Sequence, residues 1–92
     1  MTICLVIVSE KAQRNLRKVS QHIIRKFQSW TKEVEARGIL KVRKIKSYHD
    51  KPLQGTRFGQ RSIRLNRSYR AFYVVKNDEQ IEFIEVQGTG TK

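Results

Sequence analysis

Residues 41–73 read KVRKIKSYHDKPLQGTRFGQRSIRLNRSYRAFY, a basic loop followed by two strand-like runs. From Gln60 to Leu65, and again from Tyr69 to Lys76, apolar and polar side chains alternate, which is the pattern of strands with one buried face. The three residues Asn66–Ser68 separate the runs and predict a turn. We therefore expect two neighbouring strands, with one apolar face and one face that carries arginines.

Half of the basic side chains lie in this stretch. Of the 20 Lys and Arg in the chain, ten fall between Lys41 and Arg70, opposed only by Asp50, and the formal net charge of the whole chain is +12. A cluster of this sign is typical of phosphate-binding surfaces. The guanidinium fork suits bidentate phosphate contacts and stacking on bases. The sequence therefore predicts a nucleic-acid surface, and the alternative is a basic face that is only solvated.

If the basic surface belongs to an enzyme that cuts RNA, the residues of this chain support only a metal-free mechanism. Attack of a ribose 2′-OH on phosphorus needs a general base, a general acid and cations for the developing charge. The basic stretch has no carboxylate pair, and the chain has no Cys/His spacing for zinc, so we expect no metal and no cofactor. Histidine, or a lysine surrounded by cations, can move the protons. The acid–base candidates are His49, Lys46 and Lys51; the phosphate-binding candidates are Arg57, Arg61, Arg64 and Arg70; the base-stacking candidates are Tyr48 and Phe72.

These residues resemble the RelE/HigB superfamily of bacterial toxins from type II toxin–antitoxin pairs. The resemblance is most specific in HDKPLQGTRFG (residues 49–59) and at Tyr69-Arg70, and the order of elements extends it over nearly all of the chain. It implies a ribosome-dependent messenger RNA endonuclease that inhibits translation. The implied partners are the ribosome, messenger RNA and a cognate antitoxin protein.

The resemblance also implies roles for individual residues. Arg70 matches the arginine that stabilises the phosphate, and Lys46, His49 and Arg57 match the basic loop that holds catalytic or RNA-positioning residues. The remaining predicted RNA-binding residues are Lys41, Arg43, Lys44, Tyr48, Lys51, Arg61, Arg64, Arg67 and Phe72.

The end of the sequence departs from the family pattern. Many relatives place a His and a Tyr, or a Tyr, just after the last strand, whereas this chain ends EVQGTGTK (residues 85–92). Either His49 takes their place, or the chain is truncated or altered, or it binds without cutting. The alternative function is a non-cleaving RNA-binding or translation-blocking protein, or a gyrase-directed toxin like the ParE branch.

The N-terminal third supplies the first strand and the helices. Thr2–Val8 is an unbroken apolar run, which predicts a strand covered on both faces or paired in the middle of the sheet. One helix over Glu10–Arg37 would be about 42 Å long at ~1.5 Å per residue, against roughly 30 Å for a compact domain of this size. We therefore predict a break at Ser20, whose hydroxyl caps the second helix. The predicted helices are Glu10–Val19 and Ser20–Arg37.

The remaining elements complete a small α+β domain. Ile39–Ile45 is either an extended segment or the tail of the helical hairpin. After a turn at Asn77–Asp78, Ile81–Val86 forms the last strand. The expected order is RelE-like β-α-α-β-β-β, with the hairpin packed on one face of a mostly antiparallel sheet, in a single domain over residues 1–92.

Cysteine usage and hydropathy point to the cytoplasm. The lone Cys4 cannot form an internal disulfide, and its apolar neighbours predict a buried thiol rather than a nucleophile. The sequence has no run of about 18 apolar residues, so we expect no membrane partner.

Overall fold

A computed structural model of the chain describes residues 5–77 and 80–88, so the predictions for Thr2–Cys4, Asp78 and residues 89–92 lie outside the described residues. One sheet has the strand order β1-β5-β4-β3-β2, with β1 parallel to β5 and the other neighbours antiparallel. The fold class is α+β, as predicted. The strands are β1 (Leu5–Val8), β2 (Lys51–Pro52), β3 (Arg61–Arg64), β4 (Tyr69–Asn77) and β5 (Gln80–Gly88), and the helices are α1 (Glu10–Leu16), α2 (Gln21–Arg37) and α3 (Ile39–Val42).

Strand β1 lies at the edge of the described sheet, so the prediction of a central or doubly covered strand was wrong. Its residues pair only with β5, and the side chain of Leu5 is 55% exposed. Val6 and Val8 pack against the core. A parallel neighbour needs a crossover connection, and here the three helices and strands β2–β4 lie between β1 and β5 in the chain. The apolar run therefore indicates that one face of β1 packs against the core, and it does not indicate a central position in the sheet.

The second helix begins after Ser20 as predicted, but α1 ends at Leu16 and not at the predicted Val19. Ser20 occupies the N-cap position of α2 with extended backbone angles, but its hydroxyl makes no capping hydrogen bond and lies 3.0 Å from His22 Nδ1. The predicted capping role of that hydroxyl was wrong. Ser9 caps α1 instead, because its Oγ accepts a hydrogen bond of 3.1 Å from Ala12 N–H. Gly38 follows α2 as its C-cap residue. Its φ of 88° is a backbone angle that glycine adopts readily, and its N–H donates to Val34 O at 2.8 Å.

The hydrophobic core lies between α2 and one face of the sheet. Trp30 of α2 packs against Tyr73 and Phe83, with ring centroids 5.2 Å from each, and all three side chains are fully buried. Burial of such rings contributes most of the apolar area in a small domain. The other fully buried apolar core residues include Ile23, Val34, Val42, Ile63 and Ile81.

The segment between α2 and β3 is the tail of the hairpin followed by a structured loop. Residues 39–42 form α3, which settles the choice between an extended segment and a helical tail. A 3-10 turn at Lys46–Tyr48, the short strand β2 and a second 3-10 turn at Gly55–Arg57 follow. None of the helices in residues 5–77 and 80–88 is long and apolar enough to span a membrane.

Candidate active site on the outer face

The face of the sheet turned away from α2, here called the outer face, carries two rows of side chains across three strands. Arg64 lies opposite Arg70, and Ser62 lies opposite Phe72. On the other side of β4, Phe72 lies opposite Glu85. Side chains directly opposite one another on neighbouring antiparallel strands have Cβ atoms about 5 Å apart. Residues far apart in sequence therefore meet on this face.

A β-bulge places Glu85 there. Tyr73 pairs with Phe83 while Phe72 pairs with Glu85, so Ile84 is an extra residue in β5. Simple alternation from the buried Phe83 would turn Glu85 into the core. The bulge reverses the alternation, and Glu85 faces outward.

Two buried polar atoms on the outer face lack hydrogen-bond partners, and one of them belongs to the Arg64–Arg70 pair. Arg70 Nη1 and Ser62 Oγ are buried and have no hydrogen-bond partner in the described part of the chain. Like charges directly opposite each other on a sheet destabilise it, and an unpaired buried polar group costs about 1–3 kcal/mol. A bound anion would relieve both costs. A third unpaired atom, Trp30 Nε1, lies in the core on the other side of the sheet.

His49 lies beside this pair. Its Nε2 is 3.3 Å from Arg64 Nη1. Its φ of 50° makes it the one non-glycine with a positive φ within residues 5–77 and 80–88. Such a conformation costs about 1–3 kcal/mol and persists only where the surroundings enforce it.

The side chains of the residues before and after His49 are buried, and they hold its backbone in this conformation. Tyr48 is 7% exposed, with Lys26 Nζ 4.8 Å from its ring centroid. The fully buried carboxylate of Asp50 accepts hydrogen bonds from Arg61 Nε, at 2.7 Å, and from the Tyr73 hydroxyl. Burial and the hydrogen bond to Asp50 raise the pKa of Tyr73. Although burial opposes it, the hydrogen bond and charge of Asp50 raise the pKa of Arg61.

Arg57 is held flat on the outer face by Glu85. Its Nη2 lies 2.6 Å from Glu85 Oε1, its Nη1 donates to Gln60 Oε1 at 2.8 Å, and its guanidinium carbon is 4.2 Å from the Phe72 ring centroid. The hydrogen bond from Arg57, and then the one from Gln87, lower the pKa of Glu85 despite its burial. A carboxylate held anionic in this way is a weak general base. Glu85 therefore positions Arg57, a role that the sequence did not reveal.

The structure groups some of the predicted site residues and separates others. Arg57, Arg64 and Arg70 lie on the outer face with His49 beside them. Arg61 points to the opposite face, where it is committed to Asp50. Lys41 and Arg43 line a groove with Val75, on the helix side of β4.

The stacking candidates and the remaining cations have other surroundings. Phe72 is 6% exposed beneath Arg57, and Tyr48 is nearly as buried beneath Lys26, so a cation already lies over each ring. The remaining predicted cations, Lys44, Lys46, Lys51 and Arg67, are exposed. No group of three or more potential metal ligands occurs in the part of the chain that the structure describes.

No protein-family model matches the sequence, and no curated protein matches it. Solved structures do resemble it. The chain is similar to YafQ from Escherichia coli strain BL21(DE3), with a TM-score of 0.75, 15% identity and coverage of 94% of this chain and 93% of YafQ. It is similar to the YoeB dimer from Staphylococcus aureus, with a TM-score of 0.71, 18% identity and coverage of 94% and 97%.

A third similar structure is the toxin–antitoxin complex RelBE2 from Mycobacterium tuberculosis, with a TM-score of 0.61, 20% identity and coverage of 95% of this chain and 99% of the other. At such identities the likeness concerns the fold. The chain therefore has the RelE-like toxin fold that the sequence resemblance implied.

Proposed function

We propose that this protein is a toxin of a toxin–antitoxin pair and acts as a ribosome-dependent messenger RNA endonuclease in the cytoplasm. The observation that carries the proposal is the Arg64–Arg70 pair with His49 beside it and a buried, unpartnered Arg70 Nη1. This arrangement presents cations and one titratable group to a phosphodiester.

The mechanism that fits these groups uses no metal. The 2′-OH of a ribose attacks the neighbouring phosphorus, the 2′-O–P bond forms, the P–O5′ bond breaks, and one proton is taken up while another is delivered to the leaving 5′-oxygen. Arg70 holds the developing negative charge on the phosphorane, and Arg64 and Arg57 contact the flanking phosphates. His49 exchanges a proton with the reacting oxygens. Lys46 and Lys51, exposed on either side of His49, guide the RNA to it.

The physiological partner in this proposal is an antitoxin that carries an acidic segment. The formal net charge of +12 favours an acidic partner, and RelBE2, one of the structural neighbours, is a toxin–antitoxin complex. Neutralisation of the outer face would block the same groups that contact RNA.

Primer extension on messenger RNA from cells induced for this protein tests the proposal. We expect new 5′ ends in codon phase within translated regions, and intact RNA when the purified protein meets ribosome-free transcripts. If protein synthesis stops while transcripts stay intact, the endonuclease proposal fails and the translation-blocking alternative gains support.

A further inference from the structure

The loop that carries His49 is anchored to the core by a buried polar network. The Asp50 carboxylate has no exposed surface, although it directly follows an exposed residue. It accepts one hydrogen bond from β3, through Arg61, and one from β4, through Tyr73. A carboxylate is rarely buried to this degree without a partner that compensates the lost hydration. Both of its oxygens are used here.

The network is rigid because its far end lies in the aromatic core. Tyr73 is fully buried, and its ring packs 5.2 Å from Trp30 and 5.4 Å from Phe83, measured between centroids. Arg61 lies directly across from Tyr73 on β3 and also pairs with Pro52 of β2. The strand pairing thus fixes the two donors, and the donors fix Asp50.

The position of Asp50 determines where His49 can lie. With Tyr48 buried on one side and Asp50 buried on the other, the peptide between them is held at both ends, and His49 adopts its left-handed conformation. That conformation directs the imidazole to Arg64, 3.3 Å away, on the face opposite to the one that holds Asp50.

We infer that Asp50 is a positioning residue which, through Arg61 and Tyr73, fixes the His49 ring against Arg64 at the proposed active site. The inference rests on the proposed function for its catalytic meaning. It also reassigns Arg61, which the sequence placed among the RNA-binding residues, to the support of His49. A displacement of about 1 Å at a reacting group can cost as much as 10²-fold in rate.

The two histidines of the chain provide a direct readout. His49 and His22 ring signals are resolved by ¹H–¹³C NMR at one fixed pH, and a His22→Ala variant assigns them. We expect Asp50→Asn to move the His49 ring signals and to leave those of His22, on α2, in place. Glu35→Gln, which removes an exposed carboxylate from α2, is the matched control. It should leave the ring signals of both histidines at their parental positions.

Single-turnover cleavage on ribosomes is the second readout. Asp50→Asn should lower the cleavage rate about 10-fold or more, with unchanged binding to the ribosome, because the ring is displaced and the phosphate contacts remain. Tyr73→Phe removes one hydroxyl and keeps the ring in the core. Tyr73→Phe should shift the His49 ring signals and lower the cleavage rate in the same direction as Asp50→Asn, but less. If Asp50→Asn does not fold, Tyr73→Phe tests the positioning role in its place.

Each result has one meaning. A folded Asp50→Asn protein with parental His49 signals overturns the inference, and so does a shift of those signals without any loss of rate in an active enzyme. Absence of cleavage by the parental protein contradicts the proposed function instead, because the NMR readout needs no RNA.

Discussion

Arg70 is the residue whose surroundings are least explained by folding alone. Its side chain faces Arg64 across the strands, and its Nη1 is buried without a partner among the described residues. Evolution toward stability would replace such a group, since most isolated buried donors cost free energy. A functional anion offsets that cost only when it is present.

The first prediction concerns the charge and the shape of this side chain. Arg70→Ala should reduce single-turnover cleavage by about 10² or more, the scale of losing one preorganised donor. RNA affinity should fall by less than about 10-fold, because one phosphate contact is lost and other cations share the binding. Arg70→Lys keeps the charge and loses the guanidinium fork, so its cleavage rate should lie between those of the parent and Arg70→Ala. Arg25→Ala, on the exposed side of α2, is the control. Parental cleavage by Arg70→Ala would show that Arg70 does not hold the charge of the phosphorane.

The second prediction concerns the Arg57–Glu85 pair and acid. Because the pKa of Glu85 is lowered in the folded protein, the pair adds stability above the unfolded pKa of about 4.3, and that stability is lost as the pH falls through the folded pKa. Glu85→Gln should lower the free energy of unfolding by about 1–2 kcal/mol at pH 7. The difference from the parent should shrink toward zero in acid. Urea unfolding of both proteins from pH 7 to about pH 3 measures this difference in unfolding free energy. A difference that does not change with pH would show that it does not come from the ionised Glu85 carboxylate.

At the residue scale, the sequence predicted the cations better than their surroundings. Arg64 and Arg70 were predicted because charge and strand alternation are visible in the sequence, and His49 because an imidazole can move protons and because it matches the basic loop of the RelE/HigB superfamily. Glu85 was not, since a bulge reverses the alternation of β5. The surroundings of Arg61 depend on a carboxylate eleven positions earlier, and no local pattern reports such a pairing.

The helices and strands were largely predictable because their signals are local. The break at Ser20 followed from helix length, and the alternating runs gave β3 and β4. The edge position of β1 was not predictable from its apolar run, because strand order depends on pairing with β5, more than 70 residues later. The two-residue β2 was missed, since a strand that short has no periodicity.

The third prediction compares the two serines that precede the helices. Ser9 Oγ accepts from Ala12 N–H and lies 3.2 Å from Ile84 O, so it connects α1 to β5. Ser9→Ala should cost about 1 kcal/mol of unfolding free energy, the usual value for a lost N-cap. Ser20→Ala should cost less than about 0.5 kcal/mol, as is usual at exposed sites without a special contact, because the Ser20 hydroxyl makes no capping bond. Urea midpoints of the two variants decide it, and equal losses would contradict the assignment.

At the scale of the whole molecule, the charge of +12 raises the question of which cations bind RNA. Each basic residue of α2 contributes as much to the net charge as each one on the outer face. Only the outer-face group combines an opposed arginine pair with a buried, unpartnered donor. If that geometry marks the binding site, equal losses of charge at the two places should have unequal effects.

The last prediction uses the salt dependence of binding to a short single-stranded RNA. Each phosphate contact contributes about 0.7 to the slope of log K against log salt for single strands, so the double variant Arg64→Ala/Arg70→Ala should reduce the slope by about 1.4. The matched variant Arg25→Ala/Lys32→Ala removes two exposed cations of α2 and should leave the slope within error of the parent. The reason is that counterion release requires a phosphate to replace the ion at the site of contact, whereas distant charges act only through a field that salt screens within about 10 Å at 0.1 M. Equal reductions by the two variants would show that RNA contacts the chain on all sides, and the outer face would then lose its special status as the binding surface.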